Sequence, residues 1–311
     1  MSSSPILLID ARNLMYRAIF ANKKEQKRGA RIHHFTVMAR FMWGWLDKFN
    51  PASVGIFWDA RKDTIWRKKI LADYKVRNEN EIFEDIREDL VFTQAAAKAM
   101  FNHMGVWQFS KDHMEADDLI YSACWSLAPR PTIIISTDAD YEQIIFRMQN
   151  VRLWNPMQDQ GRGKFIGSPD HDPAVAKALA GDKSDKIPGY RDIGPVKSAK
   201  MARNLRAMEE FLRDHDDCPS STKQSGEVCP CCKGDGRQRF IRNLLLIDLA
   251  LNPELLKNNL YVQRVLVEKP KFCKEQIRAL ARKHKISGLI GEYDRIIVPF
   301  KFLLERAEAA V

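Results

Sequence analysis

Short apolar runs alternate with longer segments of helical spacing over the first two-thirds of the chain. Three of these runs, residues 5–10, 53–59 and 132–138, are largely apolar and each ends in an aspartate. Residues 106–109 and 151–154 are predicted to be further strands. Strands that are apolar at consecutive positions are typically covered on both faces, so the pattern predicts an α/β fold with a mostly parallel central sheet flanked by helices.

The aspartates that end the three longest runs are Asp10, Asp59 and Asp138. In a parallel sheet the carboxyl ends of the strands lie along one edge, and ligands bind beyond that edge. The sequence therefore predicts that these side chains face one site.

The composition of the chain changes after Pro156, which predicts that the protein has two parts. Helical spacing of apolar residues over 35–49 and 119–127 predicts helices that pack on the sheet. After Pro156 a Gly- and Asp-rich stretch precedes several short helices. We therefore expect an α/β core over residues 1–156 and a mainly helical part over residues 157–311.

The 311 residues carry 50 Lys and Arg against 40 Asp and Glu, a formal net charge of +10. A basic balance of this size favours a polyanionic partner, and nucleic acid is the first candidate. No apolar run approaches the roughly 20 residues that span a bilayer, so we expect no membrane role. The N-terminal residues lack the features of a secretion signal, and we expect a cytoplasmic protein.

The densest acidic motif is Glu115, Asp117 and Asp118, which fall within about one helical turn. Acidic residues favour the first turn of a helix, and this is the simple structural explanation. A second explanation counts these acids together with six other aspartates, because clustered carboxylate oxygens bind hard cations such as Mg²⁺ or Mn²⁺. The sequence then predicts a two-metal phosphoryl-transfer site. The nine candidate ligands are Asp10, Asp59, Glu115, Asp117, Asp118, Asp138, Asp140, Asp182 and Asp185.

A basic stretch follows the second predicted strand, with seven Lys or Arg against three acids over residues 61–80. We expect Lys75 or Arg77 to reach the scissile phosphate and to balance the charge that develops there. The alternative is a solvated basic helix face, which is the more common role of such a run. The basic residues are Arg61, Lys62, Arg67, Lys68, Lys69, Lys75 and Arg77.

A glycine-containing module follows the last of the aspartates. Gly189 and Gly194 flank a tight hairpin, and the second glycine leads into a helix that begins at Pro195, where backbone N–H groups can bind a phosphate. Lys197 and Lys200 extend these phosphate contacts along a duplex, and such contacts do not depend on the base sequence. An ordinary helix-turn-helix corner is the alternative.

In this order and at these separations, the motifs resemble those of the flap endonuclease family, and within it the compact 5′ nucleases of bacteriophages and bacteria. The match runs from about Ile6 to Ala202. The resemblance implies a PIN-like 5′ nuclease fold with a helix-hairpin-helix module and a helical C-terminal part. It also implies metal-dependent hydrolysis of DNA phosphodiesters at 5′ ends, flaps and branched junctions, and RNA–DNA primers as further substrates.

The resemblance also implies roles for the acids. One metal ion would be held by Asp10, Asp59, Glu115 and Asp117. The other would be held by Asp138, Asp140, Asp182 and Asp185, with Asp118 between the two ions. Asp117 and Asp138, together with Lys75, are the residues that we expect to be essential for catalysis.

Residues 61–90 correspond by this resemblance to the helical arch of the family. Lys75 matches the arch lysine that approaches the phosphate, and Arg67 and Arg77 are expected to contact DNA. Asn78 stands where the family usually has an arginine. The module that contains Gly189, Gly194, Lys197 and Lys200 matches the helix-hairpin-helix that holds duplex DNA, often with a K⁺ ion.

A cysteine-rich insert over residues 215–236 lies outside the family pattern. An HxxC pair and a CxxC pair are separated by ten residues, which fits a small tetrahedral Zn²⁺ site that stabilises a segment without its own core. A reduced surface loop without metal is the alternative. The candidate ligands are His215, Cys218, Cys229 and Cys232, with Cys231 as a substitute.

Two other functions fit the sequence less well. A DNA-binding scaffold without turnover would keep many mutually repelling acids for no purpose. A ribonuclease on a related fold would not need the lysine-bearing hairpin for duplex DNA. We therefore expect a structure-selective nuclease that is monomeric, with replication proteins as candidate partners.

Overall fold

The computed structural model describes residues 4–26, 33–61, 63–76, 81–215, 235–286, 289 and 292–309. Its strands are β1 (Ile6–Asp10), β2 (Ser53–Trp58), β3 (Trp107–Ser110), β4 (Thr132–Ile135), β5 (Val151–Asn155), β6 (Lys164–Ile166), β7 (Gly181–Asp182) and β8 (Ile187–Pro188). Six of them form one sheet in the order β3-β2-β1-β4-β5-β6. β1 to β5 are parallel, and β6 is antiparallel to β5. The five predicted strands and the mostly parallel sheet are confirmed.

The edge strand β6 was missed, because three half-exposed residues give too short a pattern to detect. The remaining short strands, β7 and β8, form a separate antiparallel pair.

Helices cover both faces of the sheet and form the C-terminal part. In the described chain they are α1 (Ala11–Gln26), α2 (His34–Phe49), α3 (Glu81–Phe101), α4 (Ala116–Leu127), α5 (Glu142–Arg147), α6 (Pro173–Ala180), α7 (Pro195–Arg203), α8 (Leu205–Arg213), α9 (Gly236–Ile247), α10 (Leu255–Val267), α11 (Lys274–Lys283) and α12 (Tyr293–Ala309). The two helices predicted to pack on the sheet correspond to α2 and α4. None of the described helices is long and apolar enough to cross a membrane.

Successive residues of β1 alternate between two hydrophobic layers, as expected for a strand. Leu7 and Ile9 pack in a layer formed with α1, α2, α3, α11 and α12. Ile6 and Leu8 pack in a second layer formed with α4, α5 and α10. Because the sheet is covered on both faces, its carboxyl edge is the place where polar side chains converge.

A third hydrophobic cluster joins the basic stretch to the C-terminal part. Ile65 and Tyr74 pack there against residues of α6, α7, α8 and α9. The part of the basic stretch between these two residues is therefore held against the molecule, and α3 begins at Glu81. Arg77 and Lys62 lie outside the described residues.

The division at residue 156 stays a prediction, although two features cross it. The sheet continues through β6 to Ile166. Residues of α11 and α12, among them Ile277 and Phe300, belong to the same buried layer as β1.

Candidate active site

Five carboxylates line one cavity of about 340 Å³ at the carboxyl edge of the sheet. Asp10 is the last residue of β1, Asp59 follows β2, and Asp138 follows β4. Glu115 and Asp117 lie at the start of α4. We call these five residues the first acidic cluster. The prediction that strand ends deliver aspartates to one site is consistent with this geometry.

Backbone N–H groups orient the aspartates of this cluster. Asp10 Oδ1 accepts a hydrogen bond from Asn13 N at 3.0 Å, and Asp59 Oδ1 accepts one from Ala116 N at 2.9 Å. Asp138 Oδ1 accepts one from Asp140 N at 2.9 Å. Fixed backbone donors hold the carboxylates in place despite their mutual repulsion.

Burial and like charge raise the pKa of several of these acids. Burial, together with the neighbouring Asp59, raises the pKa of Asp10 to about 7. Burial also raises the pKa of Asp117 well above its ordinary value, with Asp118 and Glu115 acting in the same direction. An acidic site with raised pKa values lacks counter-charge, which a bound cation would supply.

The raised pKa of Asp10 predicts a pH effect on stability without metal. The folded state binds a proton on Asp10 that the unfolded state releases above about pH 4, so this contribution to stability is lost as the pH rises to about 7. Compared with wild type, Asp10→Asn should therefore gain stability across this range, by up to about 1.4 kcal/mol per pH unit. Urea unfolding in EDTA at several pH values measures the difference.

Using the difference between variant and wild type is essential, because burial lowers the pKa of His33 to about 4 and gives stability the opposite pH slope. Mg²⁺ should reduce the difference, since it neutralises the carboxylates. A difference that does not change with pH would contradict the assignment.

Asp118 is not a candidate metal ligand, contrary to expectation. It is buried, and its Oδ1 and Oδ2 accept hydrogen bonds from Arg67 at 2.9 and 3.0 Å. Oδ2 also accepts from Trp66 Nε1 at 3.0 Å and from Glu115 N at 3.2 Å. For Asp118 the simple explanation, an acid that caps the first turn of a helix, is therefore correct.

Arg67 is likewise not available to DNA. Its side chain is 1% exposed, and besides Asp118 it donates to Glu115 Oε2 at 2.8 Å and to the Leu246 carbonyl at 2.8 Å. The sequence prediction failed here because a charge run does not show which of its members turns inward. Through these contacts Arg67 connects the basic stretch with α4 and α9.

Lys75 connects the first cluster with a second one. Its Nζ lies 2.6 Å from Glu115 Oε1 and 3.6 Å from Asp185 Oδ2. Its backbone has a φ of 53°, in the left-handed region that is uncommon outside glycine, and its N–H donates to the Asp185 carbonyl at 3.1 Å. Tyr74 O–H contacts the same two acids. Several contacts therefore hold Lys75 in a strained conformation beside the acids.

The second acidic cluster consists of Asp140, Asp182 and Asp185, whose carboxylate oxygens lie within 4.8 Å of one another. Lys177 Nζ contacts both Asp140 and Asp182. Burial disfavours the charged form, but the charges of these two acids hold the pKa of Lys177 above its ordinary value. No sequence motif indicates this lysine, which lies in the helix α6 that precedes Asp182.

Asp138 and Arg12 also differ from expectation. The resemblance places Asp138 with Asp140, Asp182 and Asp185, whereas in the structure it lines the cavity of the first cluster. Arg12 is a further cation of this site: its Nη1 lies 3.3 Å from Asp59 Oδ2, and it lines the same cavity. Its position two residues after Asp10 at the end of β1 was the available signal.

The glycine-containing module has the predicted outline. A Cβ on Gly189 would lie 1.9 Å from the Ala180 carbonyl oxygen, so only glycine fits where β8 meets the end of α6. Gly194 is the N-cap of α7, and Lys197 and Lys200 are exposed on that helix. Their contact with DNA stays a prediction.

The predicted zinc ligands Cys218, Cys229 and Cys232 lie outside the described residues, as does Cys231. His215 is described, and its Nδ1 lies 2.7 Å from the Phe211 carbonyl. The zinc site therefore stays a prediction.

The donor chemistry of both clusters fits divalent metal ions. Carboxylate oxygens are the side-chain donors that hard cations such as Mg²⁺ and Mn²⁺ prefer. Among the described residues that line the first cavity, the five acids outnumber the two cations, Arg12 and Lys75, which leaves negative charge to be neutralised.

Comparison with known proteins agrees with this geometry. A protein-family model described as "5′-3′ exonuclease, N-terminal resolvase-like domain" matches residues 5–169, more than half of the chain. The chain belongs to the 5′-3′ exonuclease family. It is therefore a structure-selective, metal-dependent 5′ nuclease that hydrolyses DNA.

Similar family members include bacterial enzymes of comparable length. Flap endonuclease Xni of Shewanella loihica is 29% identical over 220 residues, which cover 68% of this chain and 80% of that protein. The 5′-3′ exonuclease of Mycoplasma genitalium is 25% identical over 234 residues, which cover 70% and 78%.

Among solved structures, the bacteriophage T5 flap endonuclease, in a pseudo-enzyme-product complex with DNA and metal ions, has a TM-score of 0.60. Its sequence identity is 16%, and the match covers 90% of this chain and 99% of that one. This likeness confirms the 5′ nuclease fold.

Proposed function

We propose that this 5′-3′ exonuclease cleaves flapped or branched DNA near the 5′ end, with two Mg²⁺ or Mn²⁺ ions held by the two acidic clusters. The observation that carries the proposal is the convergence of eight of the nine predicted carboxylates in two clusters that Lys75 connects. When bound, the ions would activate water and neutralise charge on the phosphate.

The residues of the chain have separate tasks in this proposal. Asp10, Asp59, Asp117 and Asp138 would hold one cation beside the scissile phosphate, and Asp140, Asp182 and Asp185 would hold the other. Lys75, which lies beside Glu115, donates to a phosphate oxygen on which charge develops. Because Glu115 and Tyr74 fix its position, Lys75 needs little reorganisation during the reaction.

Duplex DNA is held away from the reacting phosphate. Lys197 and Lys200 on α7, with the N-terminus of that helix at Gly194, contact the backbone of one strand. A K⁺ ion at this hairpin, Zn²⁺ at the cysteine-rich insert and an RNA–DNA hybrid as substrate belong to the same proposal. A monomeric state and replication proteins as partners are further predictions.

Lys75→Ala should slow the chemical step by about 10²–10³-fold, the loss typical of removing one group that stabilises transition-state charge. DNA affinity should change much less. Single-turnover cleavage with saturating enzyme gives the rate, and a binding titration in EDTA gives the affinity. Lys197→Ala is the matched control, with weaker duplex binding and a nearly unchanged chemical rate. If Lys75→Ala changes only affinity, Lys75 is a phosphate clamp and not a catalytic residue.

A labelled 5′-flap duplex and a nicked duplex test the function. Cleavage that needs Mg²⁺ or Mn²⁺ and leaves 5′-phosphate and 3′-hydroxyl ends supports the proposal. Binding without product in either metal would favour a scaffold without turnover. Cleavage of RNA with no cleavage of DNA would favour a ribonuclease.

A further inference from the structure

Three aliphatic residues of α10 are largely exposed. Leu256, Leu260 and Val267 are 73%, 60% and 83% exposed. At about 100° per residue they fall within an arc of about 40° on the helix, with the exposed Gln263 between Leu260 and Val267. No part of the chain that the structure describes covers them. We call these three residues the α10 stripe.

The opposite side of α10 is fixed on the molecule, so the stripe is presented by a rigid helix. Val262 is fully buried in the layer formed with α4. Tyr261 O–H donates to the Ser110 carbonyl at 2.8 Å and accepts from Ser110 N at 2.9 Å. Lys111 Nζ donates to Asn258 Oδ1 at 2.6 Å.

Cations lie along one side of the stripe. Lys257 and Arg264 are about 80–100° around the helix from Leu256. With Lys111 and Leu260 they line a concave surface of about 600 Å³ next to the end of β3. We call Lys111, Lys257 and Arg264 the basic rim.

The surroundings of the rim are electropositive despite two nearby acids, Asp112 and Glu254. A hydrogen bond from Lys257, with the charges of Lys111 and Lys69 nearby, holds the pKa of Glu254 below its ordinary value. A ligand that covers this surface would gain from negative charge.

Apolar stripe and basic rim together indicate the kind of partner. DNA phosphates would pair with the cations, but they would leave the three aliphatic side chains without a function. A peptide with aliphatic or aromatic anchors would bury the stripe, and acidic residues beside those anchors would pair with the rim. An exposed apolar strip beside charged residues is typical of protein interaction sites.

We propose that the α10 stripe and the basic rim form a docking site for an acidic amphipathic peptide segment of another protein. The site does not share residues with the cavity of the first acidic cluster. It recruits the nuclease to a partner without taking part in cleavage.

Fluorescein-labelled synthetic peptides test the site on the full chain by fluorescence anisotropy. The test peptide carries leucines at helical spacing, with Asp and Glu between them. One comparison peptide has Lys for every acid, and another has Ser for every leucine. The test peptide should bind, and both comparison peptides should bind at least tenfold more weakly.

Three variants test whether the peptide binds at the α10 stripe and the basic rim. Leu260→Asp and Arg264→Glu should each weaken binding of the test peptide at least tenfold and leave the rate of flap cleavage unchanged. Arg282→Glu, an equal charge reversal on α11, should leave peptide binding unchanged. Unaltered urea midpoints show that the variants are folded, as expected for exposed positions.

Several results would overturn the proposal. They are no binding of the test peptide, equal binding of the serine peptide, and equal effects of Arg282→Glu and Arg264→Glu. A single-stranded oligothymidylate that displaces the peptide in wild type but not in Arg264→Glu would assign the surface to DNA. Self-association that Leu260→Asp abolishes would assign it to a second copy of the chain.

Discussion

Asp117→Asn should abolish cleavage while DNA binding is kept. Asp117 lies in the cavity of the first acidic cluster, and the amide cannot supply the negative charge that holds a cation there. A metal ion contributes several kcal/mol to transition-state stabilisation, so we expect a loss of at least about 10³-fold in rate. Single-turnover cleavage of a 5′-flap duplex in Mg²⁺ measures it.

Binding separates this prediction from misfolding. In EDTA, Asp117→Asn should bind the duplex at least as tightly as wild type, because the neutral amide adds no negative charge that faces phosphate. Asp294→Asn makes the same chemical change at an exposed position on α12, and it should cleave normally. A near-normal rate for Asp117→Asn would refute the two-metal assignment.

Arg67→Met should produce the largest loss of stability. Arg67 forms a buried ion pair with Asp118 and also contacts Glu115 and Leu246. Removing the guanidinium leaves a buried, uncompensated carboxylate, which typically costs about 3–5 kcal/mol in the free energy of unfolding. Equilibrium urea unfolding measures the loss.

Two further variants serve as controls for Arg67→Met. Arg61→Met breaks the exposed pair with Asp63 and should cost less than about 1 kcal/mol. The double variant Arg67→Met/Asp118→Leu should recover part of the loss, because the buried carboxylate of Asp118 is removed together with its partner. If Arg67→Met unfolds at the same urea concentration as wild type, Arg67 does not connect the basic stretch to α4 as described.

The sheet and its acidic edge were predictable because both depend on local patterns. Continuous apolar runs predicted β1 to β5, and each strand-end aspartate is close to the element that positions it. Asp10, Asp59 and Asp138 converge simply because parallel strands share one carboxyl edge. The motif around Glu115 added two further carboxylates to the same cavity.

Contacts between distant parts of the chain were not predictable in this way. Arg67 pairs with Asp118 across 51 residues, and no local pattern separates this inward arginine from its exposed neighbours. Lys177 and Arg12 were missed because single cations carry no periodic signal. Their pairing with the acids is visible only after the strand ends and α6 are placed together.

Packing also determines to which of the two clusters each acid belongs. Asp138 and Asp140 are two residues apart, yet Asp138 lines the first cavity and Asp140 belongs to the second cluster. The short helix that begins after Asp138 turns the chain between them. The resemblance to the family assigns both residues to the same ion.

The central claim is that the converging carboxylates hold divalent cations, and anomalous diffraction from crystals grown with Mn²⁺ tests it most directly. We predict one anomalous peak in contact with Asp10 and Asp117, and another beside Asp182 and Asp185. The first peak should be lost in Asp117→Asn crystals. Crystals saturated with Mn²⁺ that show no peak at either cluster would contradict the account.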